Sequence, residues 1–218
     1  MNKAGSVVIQ MLVARLLLTN RSMNMQNKKK YVSLLSWPLL MVGVAQAAEP
    51  RFSLDVGYDF GGAEVGEVYF SEGTTAVVRA NEGMNIAVGV ALPLGGGLDL
   101  QTSIGLQWSE QSAENGSMTW QSVPWQTLLV ANLGTLSVGG GVVYHFNPEL
   151  ETDGVLRSLG QVQFDDALGY QAQVAYAVTE GRRGSGFLVG ARYTTIDFTA
   201  GDATIRGDAA AVFVKFLF

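Results

Sequence analysis

The sequence of 218 residues contains no cysteine and only one histidine, His145. Without cysteine, the chain can form neither a disulfide framework nor a thiolate metal site. Any hydrolytic mechanism that needs an imidazole base would have to use His145, because the chain offers no second histidine.

Basic residues are also scarce over most of the chain. Six of the 14 Lys and Arg residues precede residue 48, where there is no acid, which leaves eight basic against 19 acidic residues in the remainder. That remainder carries a formal charge of −11. Phosphate binding needs a basic surface, so nucleic acid is excluded as a partner.

Long apolar runs are absent apart from residues 31–44, which include Pro38. A membrane-spanning helix needs about 20 apolar residues. This shorter run follows the basic cluster 28–30 and precedes Ala45-Gln46-Ala47, the order typical of a cleavable secretory signal. We therefore predict a signal peptide over residues 1–47, with 1–22 either an upstream extension or part of a two-part leader, and a mature domain over 48–218.

The mature chain is rich in segments in which apolar and polar or small residues alternate. In 208–218, for example, Val212, Val214 and Phe216 lie on one face and Phe213 and Lys215 on the other. Period-two alternation predicts β-strands. We predict eight of them, at about 51–60, 84–92, 98–108, 118–131, 135–146, 168–178, 187–193 and 208–218, with Pro124 weakening the fourth or marking a bulge.

The connections between these strands alternate in length. We predict loops at 61–83, 110–117, 147–165 and 199–205, the first with strand extensions near 65–70 and 75–79. We predict short turns at 93–97, 132–134 and 179–184.

One face of the predicted strands is regularly apolar and aromatic, whereas the other carries small and polar residues. A soluble β-sandwich has a polar outer face, so this pattern is its inverse and is the arrangement that a barrel in lipid requires. We predict an all-β, eight-stranded antiparallel up-and-down transmembrane barrel with both mature termini in the periplasm.

The terminal strand ends in Phe216-Leu217-Phe218. With the strand pattern, this resembles the small eight-stranded bacterial outer-membrane barrels, the group of OmpA-type transmembrane domains and OmpX-like proteins. The resemblance implies a Gram-negative outer-membrane location and Phe216 and Phe218 as the assembly signal. It also implies a monomer that meets outer-membrane lipids, lipopolysaccharide and the barrel-assembly machinery, with a structural or surface-interaction role through its acidic loops.

An eight-stranded barrel has an interior that side chains fill. The predicted inward faces carry polar and charged residues that we interpret as a packed lumen network: Asp55, Asp59, Gln171, Arg192 and Lys215. Lys215 and Asp55 are expected to meet where the first and last strands close the barrel. The alternative is a narrow channel for small solutes, gated by the same groups.

A lipid A-modifying hydrolase that uses His145 is the second alternative. Outer-membrane lipid A deacylases have a His-x-Ser pair, whereas this chain has His145-Phe146-Asn147. A serine nucleophile must lie within hydrogen-bond reach of its base, and no local motif supplies one. We therefore predict no catalytic residues and no enzymatic activity.

Acidic residues at alternate positions, Glu149, Glu151 and Asp153, resemble the first half of a calcium loop. Oxygen-rich sites of this kind bind Ca²⁺ or Mg²⁺, but position 12 of such a loop falls on Gly160. We predict no firmly bound cofactor, and treat a divalent cation at these three residues as the candidate metal site.

Overall fold

The structure is a computed structural model that describes residues 49–69, 75–113, 116–153, 160–180 and 186–218. The predicted signal segment, 1–47, lies outside the described residues. Within the described ranges the strands are β1 (Arg51–Gly61), β2 (Glu64–Tyr69), β3 (Thr75–Arg79), β4 (Gly83–Gly95), β5 (Leu98–Ala113), β6 (Gly116–Leu133), β7 (Leu136–Thr152), β8 (Val162–Gln163), β9 (Ala167–Glu180), β10 (Gly186–Thr195), β11 (Asp197–Ala200), β12 (Ala203–Arg206) and β13 (Ala209–Leu217).

Eight of these strands form one closed antiparallel sheet, so the predicted barrel is confirmed. Its order is β1, β4, β5, β6, β7, β9, β10 and β13, and β13 pairs with β1 to close the circle. Closure pairs every strand on both edges and leaves no open sheet edge in the wall. The predicted pairing of the first and last strands is present in register, with Asp55 opposite Lys215.

Side chains alternate between the lumen and the outer wall as the sequence pattern predicts. On β1, Asp59 is 5% exposed whereas the next residue, Phe60, is 53% exposed. All eight barrel strands place exposed apolar residues on the outer wall, among them Phe52, Ile86, Ile104, Leu129, Val138, Tyr170, Val189 and Val212. A continuous apolar wall of this kind suits contact with lipid.

The two ends of the barrel differ. Short turns at Gly96–Gly97 and Gly134–Thr135 join β4 to β5 and β6 to β7, and we call this side the turn end. The opposite side is the loop end. Within the structure's described ranges, no helix is long and apolar enough to cross a membrane.

Two predicted loops are largely strand. The prediction of a loop at 110–117 is wrong, because β5 continues to Ala113 and β6 begins at Gly116. In the predicted loop 147–165, β7 continues to Thr152 and β8 pairs with it. The polar residues that suggested loops alternate with inward-facing Met118, Trp120 and Leu150, so the strands continue beyond the apolar wall as a polar-faced sheet.

A register shift separates the wall from this extension of β7. Gln121 pairs with Glu149 but Val123 pairs with Phe146, and Asn147, in the bulge, has φ 46°. Asp166 holds the bulge, because its carboxylate accepts the Asn147 amide at 2.9 Å and the Tyr144 hydroxyl at 3.2 Å. The shift lies next to Pro124, close to the predicted position.

The connections at the loop end fold into an apolar layer that we call the cap cluster. It consists of Val65, Val78, Ala80, Met118, Trp120, Leu150, Val162, Phe164, Ala167, Ile196 and Phe198. The Trp120 ring lies 5.2 Å from that of Phe198 and 5.3 Å from that of Phe164. The predicted extensions near 65–70 and 75–79 are the hairpin β2–β3, and β11 and β12 form a second hairpin in place of the loop predicted at 199–205.

A smaller apolar cluster lies towards the turn end and contains Ala91, Ala175, Leu188, Phe213 and Leu217. Leu188 of this cluster pairs in register with Lys215, so apolar and charged side chains share this part of the lumen.

Candidate functional site in the barrel lumen

Arg192 lies at the centre of the polar lumen, between two carboxylates of β1. Its Nη1 donates to Asp55 Oδ1 at 3.2 Å, and its Nη2 and Nε donate to Asp59 at 3.4 and 3.5 Å. Strand alternation explains this arrangement, since Asp55 and Asp59 are four residues apart and project to the same side. One guanidinium therefore bridges both acids.

Gly57 provides the space for this guanidinium. A Cβ added at Gly57 would lie 3.0 Å from Arg192 Nη2 and 2.9 Å from the Val212 carbonyl oxygen. Real Cβ atoms rarely approach so closely, so a side chain here would force the guanidinium, the β13 backbone or both to move. The signal in the sequence is Asp55-x-Gly57-x-Asp59, with the smallest residue between two inward acids.

Lys215 extends the network towards the turn end. Its Nζ lies 3.7 Å from Asp55 Oδ2 and donates to Gln101 Oε1 at 2.9 Å. The ring of Phe213 lies between the two cations, 5.5 Å from Arg192 Cζ and 5.4 Å from Lys215 Nζ. Cations over an aromatic face are attracted by its quadrupole, so Phe213 favours both charges.

The charges of this layer cancel. Asp55, Asp59, Arg192 and Lys215 are each at most 8% exposed, and they contribute two negative and two positive charges. Isolated buried charges are costly, whereas hydrogen-bonded pairs are tolerated. The four groups therefore form a buried, balanced set of ion pairs.

A second, uncharged layer lies next to it towards the loop end. Gln171 Nε2 donates to Gln126 Oε1 at 3.0 Å, and Thr194 donates to Gln171 at 3.5 Å. Asn85 donates to Asp59 and so joins this layer to the ionic one. The structure thus brings Asp55, Asp59, Arg192 and Lys215 into direct contact and places Gln171 in the adjacent layer.

No local motif in the sequence supplies a serine for His145, but the structure places a distant one beside it. Ser122 Oγ lies 3.0 Å from His145 Nδ1. The two residues are far apart in sequence and meet because β6 pairs with β7.

The hydrogen bonding around Ser122 differs from that of an activated nucleophile. Gln107 Nε2 donates to the Asn81 carbonyl at 3.0 Å, which orients Gln107 Oε1 as the acceptor of the Ser122 hydroxyl at 3.2 Å. Because a serine has one proton, His145 Nδ1 then donates to Ser122 and does not accept its proton. A general base must do the reverse.

The cap cluster also covers this pair. The His145 and Phe198 rings meet edge to face at 5.5 Å, and Ser122 and His145 are at most 4% exposed. A lipid acyl ester would have to displace the cap to reach them. The geometry therefore favours a structural part for the pair.

A third polar group lies at the turn end, where strand alternation predicts that Asp99 and Ser137 face inward. Arg51 pairs with Asp99, which also accepts from Asn132 Nδ2 at 2.9 Å, and Ser137 donates to Asn132 Oδ1 at 2.8 Å. It ties β1, β5, β6 and β7 together beside the turns. The alternation of side chains within each strand does not show that these residues, which lie on different strands, contact one another.

The candidate metal residues lie on the extension of β7. Glu149 accepts hydrogen bonds from Gln121 and, at 2.7 Å, from Gln161, while Glu151 is exposed. Among the described residues, no three His, Cys, Asp or Glu side chains come together as a metal site would require. Divalent cation binding at Glu149, Glu151 and Asp153 stays a prediction.

The two residues assigned to the assembly signal both lie on the outer wall. Phe216 packs against Phe187 with ring centroids 5.0 Å apart, and Phe218 is 65% exposed. The Phe218 amide donates to the Phe52 carbonyl at 2.9 Å, which continues the pairing of β13 with β1 to the last residue.

No family model and no curated protein match this sequence. Ail, the attachment invasion locus protein of Yersinia pestis, in complex with the heparin analogue sucrose octasulfate, is 11% identical with a TM-score of 0.50, over 78% of this chain and 99% of that one. Neisserial surface protein A, NspA, is 14% identical with a TM-score of 0.46, over 79% of this chain and 100% of that one. With its closed sheet and apolar outer wall, and by its likeness to Ail, this chain has the fold of the small eight-stranded outer-membrane β-barrels.

Proposed function

We propose that this protein is a non-enzymatic outer-membrane barrel of a Gram-negative bacterium that acts at the cell surface through its acidic loop end. The mature termini lie in the periplasm and the loop end faces outward, as the alternation of short turns and long connections favours. The charged groups of the lumen are paired with one another, which supports a structural role for the barrel.

This proposal rests on the uneven distribution of acidic and basic residues along the mature chain. Fourteen of the 19 acidic residues fall in 61–83, 109–118, 146–167 and 195–209, which together contain three basic residues. The rest of the mature chain balances, with five acidic and five basic residues. Of these residues, twelve acidic and two basic ones lie in the described part of the loop end, so negative charge is concentrated there and attracts cationic groups.

The negative charge of the loop end also argues against binding of a ligand like the one in complex with Ail. Sucrose octasulfate is a polyanion, which an acidic surface repels. The acidic loop end instead favours cationic partners, or lipopolysaccharide phosphates bridged by divalent cations. Outer-membrane lipids surround the wall, the barrel-assembly machinery inserts it, and the closed sheet edges favour a monomer.

A binding measurement tests the surface role. We expect the barrel, reconstituted in vesicles of zwitterionic lipid, to bind a fluorescent oligolysine and not an oligoglutamate of equal length, with affinity that falls steeply as salt rises. Replacing Glu151, Asp153 and Asp165 by their amides should weaken binding. The matched control Glu49→Gln, outside the loop end, should not. Equal binding of both peptides, or no binding, would contradict the proposal.

A further inference from the structure

A small cavity lies at the junction of the charged and uncharged layers of the lumen. Its volume is about 20 Å³, and its lining includes Asp59, Asn85, Val143, His145 and Arg192. Polar side chains predominate around it, and each of these five residues is at most 5% exposed.

Asn85 lines this cavity, and one polar atom of its side chain lacks a hydrogen-bond partner among the described residues. Its Nδ2 donates to Asp59, but within the part of the chain that the structure describes its Oδ1 has no hydrogen-bond partner. Burying a carbonyl oxygen without a donor is costly. The site therefore calls for a group that can donate a hydrogen bond.

Size and charge then define the ligand. A water molecule needs roughly 10–15 Å³ of such volume, so the cavity has room for one water molecule. An acceptor such as Asn85 Oδ1 disfavours an anion. A metal cation would add charge to a layer that is already neutral and would lie near Arg192.

We propose that this cavity is a binding site for one internal water molecule that donates to Asn85 Oδ1. The water completes the hydrogen bonding of the carboxamide that orients Asp59, and Asp59 in turn holds Arg192. The site is part of the architecture of the lumen and does not depend on what the loop end binds.

A high-resolution crystal structure from crystals soaked in rubidium chloride tests the identity of the ligand. We expect one solvent peak within hydrogen-bond distance of Asn85 Oδ1 that lacks rubidium anomalous signal. A rubidium peak there would identify a cation site and overturn the proposal. A cavity without density would overturn it as well.

A pair of variants tests whether the water stabilises the barrel. Val143→Ile adds one methylene to the cavity wall and should displace the water, lowering the midpoint of thermal unfolding in detergent by several degrees more than Val130→Ile, an inward valine that does not line the cavity. The excess should vanish in an Asn85→Leu background, where the carbonyl is gone. Equal effects of the two valine variants would count against the site, and if Val143→Ile does not fold, the wild-type crystal structure decides.

Discussion

At the scale of single residues, the lumen depends on Arg192 and on the glycine opposite it. Arg192 forms ion pairs with both Asp55 and Asp59, and Phe213 and Gly57 shape the space around it. These contacts predict unequal effects for substitutions of similar size.

Arg192→Met should strongly destabilise the barrel. It removes a cation and leaves two buried carboxylates with Lys215 alone, and breaking a buried ion pair typically costs about 3–5 kcal/mol. Urea unfolding in lipid vesicles measures the loss. Arg206→Gln is the control, because the Arg206 side chain is 76% exposed and should change little. If the added change Asp59→Asn, which leaves Asp55 paired with Lys215, restores no stability to Arg192→Met, the uncompensated charge is not the cause.

Gly57→Ala should also lower the unfolding midpoint, by displacing the guanidinium from between the two acids. Gly140 of β7 is the matched control, because a Cβ there would meet its nearest neighbour, the Gln171 carbonyl oxygen, at an ordinary 3.6 Å. Gly140→Ala should be nearly neutral. Equal losses for the two variants would show that Gly57 does not act through Arg192.

Strand parity alone placed Asp55, Asp59, Arg192 and Lys215 on the lumen side, because alternation is a local property of an extended chain. The contact of Ser122 with His145 could not be predicted in the same way. It depends on the register of β6 against β7, which shifts by one residue at the Asn147 bulge, and such a shift depends on tertiary contacts such as those of Asp166.

At the scale of elements, the loop end is folded structure instead of flexible connections. The hairpins β2–β3 and β11–β12 pack with extensions of β6 and β7 around Trp120. The sequence suggested loops because Gly, Ser and acidic residues are frequent there. The apolar residues between them alternate, but their common core appears only when distant segments meet.

Phe198→Ala should loosen the cap cluster. Phe198 is fully buried and contacts Trp120, Phe164 and His145, and truncating a buried phenylalanine costs about 3–5 kcal/mol. Limited proteolysis of the reconstituted barrel should then cleave the loop end faster while the wall stays protected. Phe60→Ala, on the outer wall, should leave cleavage unchanged. Protease resistance equal to wild type would argue against a cap held by Phe198.

At the scale of the whole molecule, the described lumen holds a polar group at the turns, ion pairs mixed with a small apolar cluster, an uncharged polar layer and the cap cluster. Buried side chains at each of these levels support the proposal of a packed lumen over that of a narrow channel.

Planar-bilayer recording tests this consequence. Wild-type protein should show no defined conductance steps, and Phe198→Ala should show none either, because the ionic layer beneath the cap is intact. Discrete, reproducible steps in wild type would support the channel alternative. Steps that appear only in Phe198→Ala would instead identify the cap as the barrier.

The strands of the barrel differ in length on its two sides. β13 has 9 residues and β10 has 10, whereas β6 has 18 and β7 has 17. At the loop end β10 and β13 are continued by the hairpin β11–β12, whereas β5, β6 and β7 extend as one paired sheet. With the loop end outward, a large molecule that approaches the membrane would meet a continuous sheet on one side of the barrel and a separate hairpin on the other.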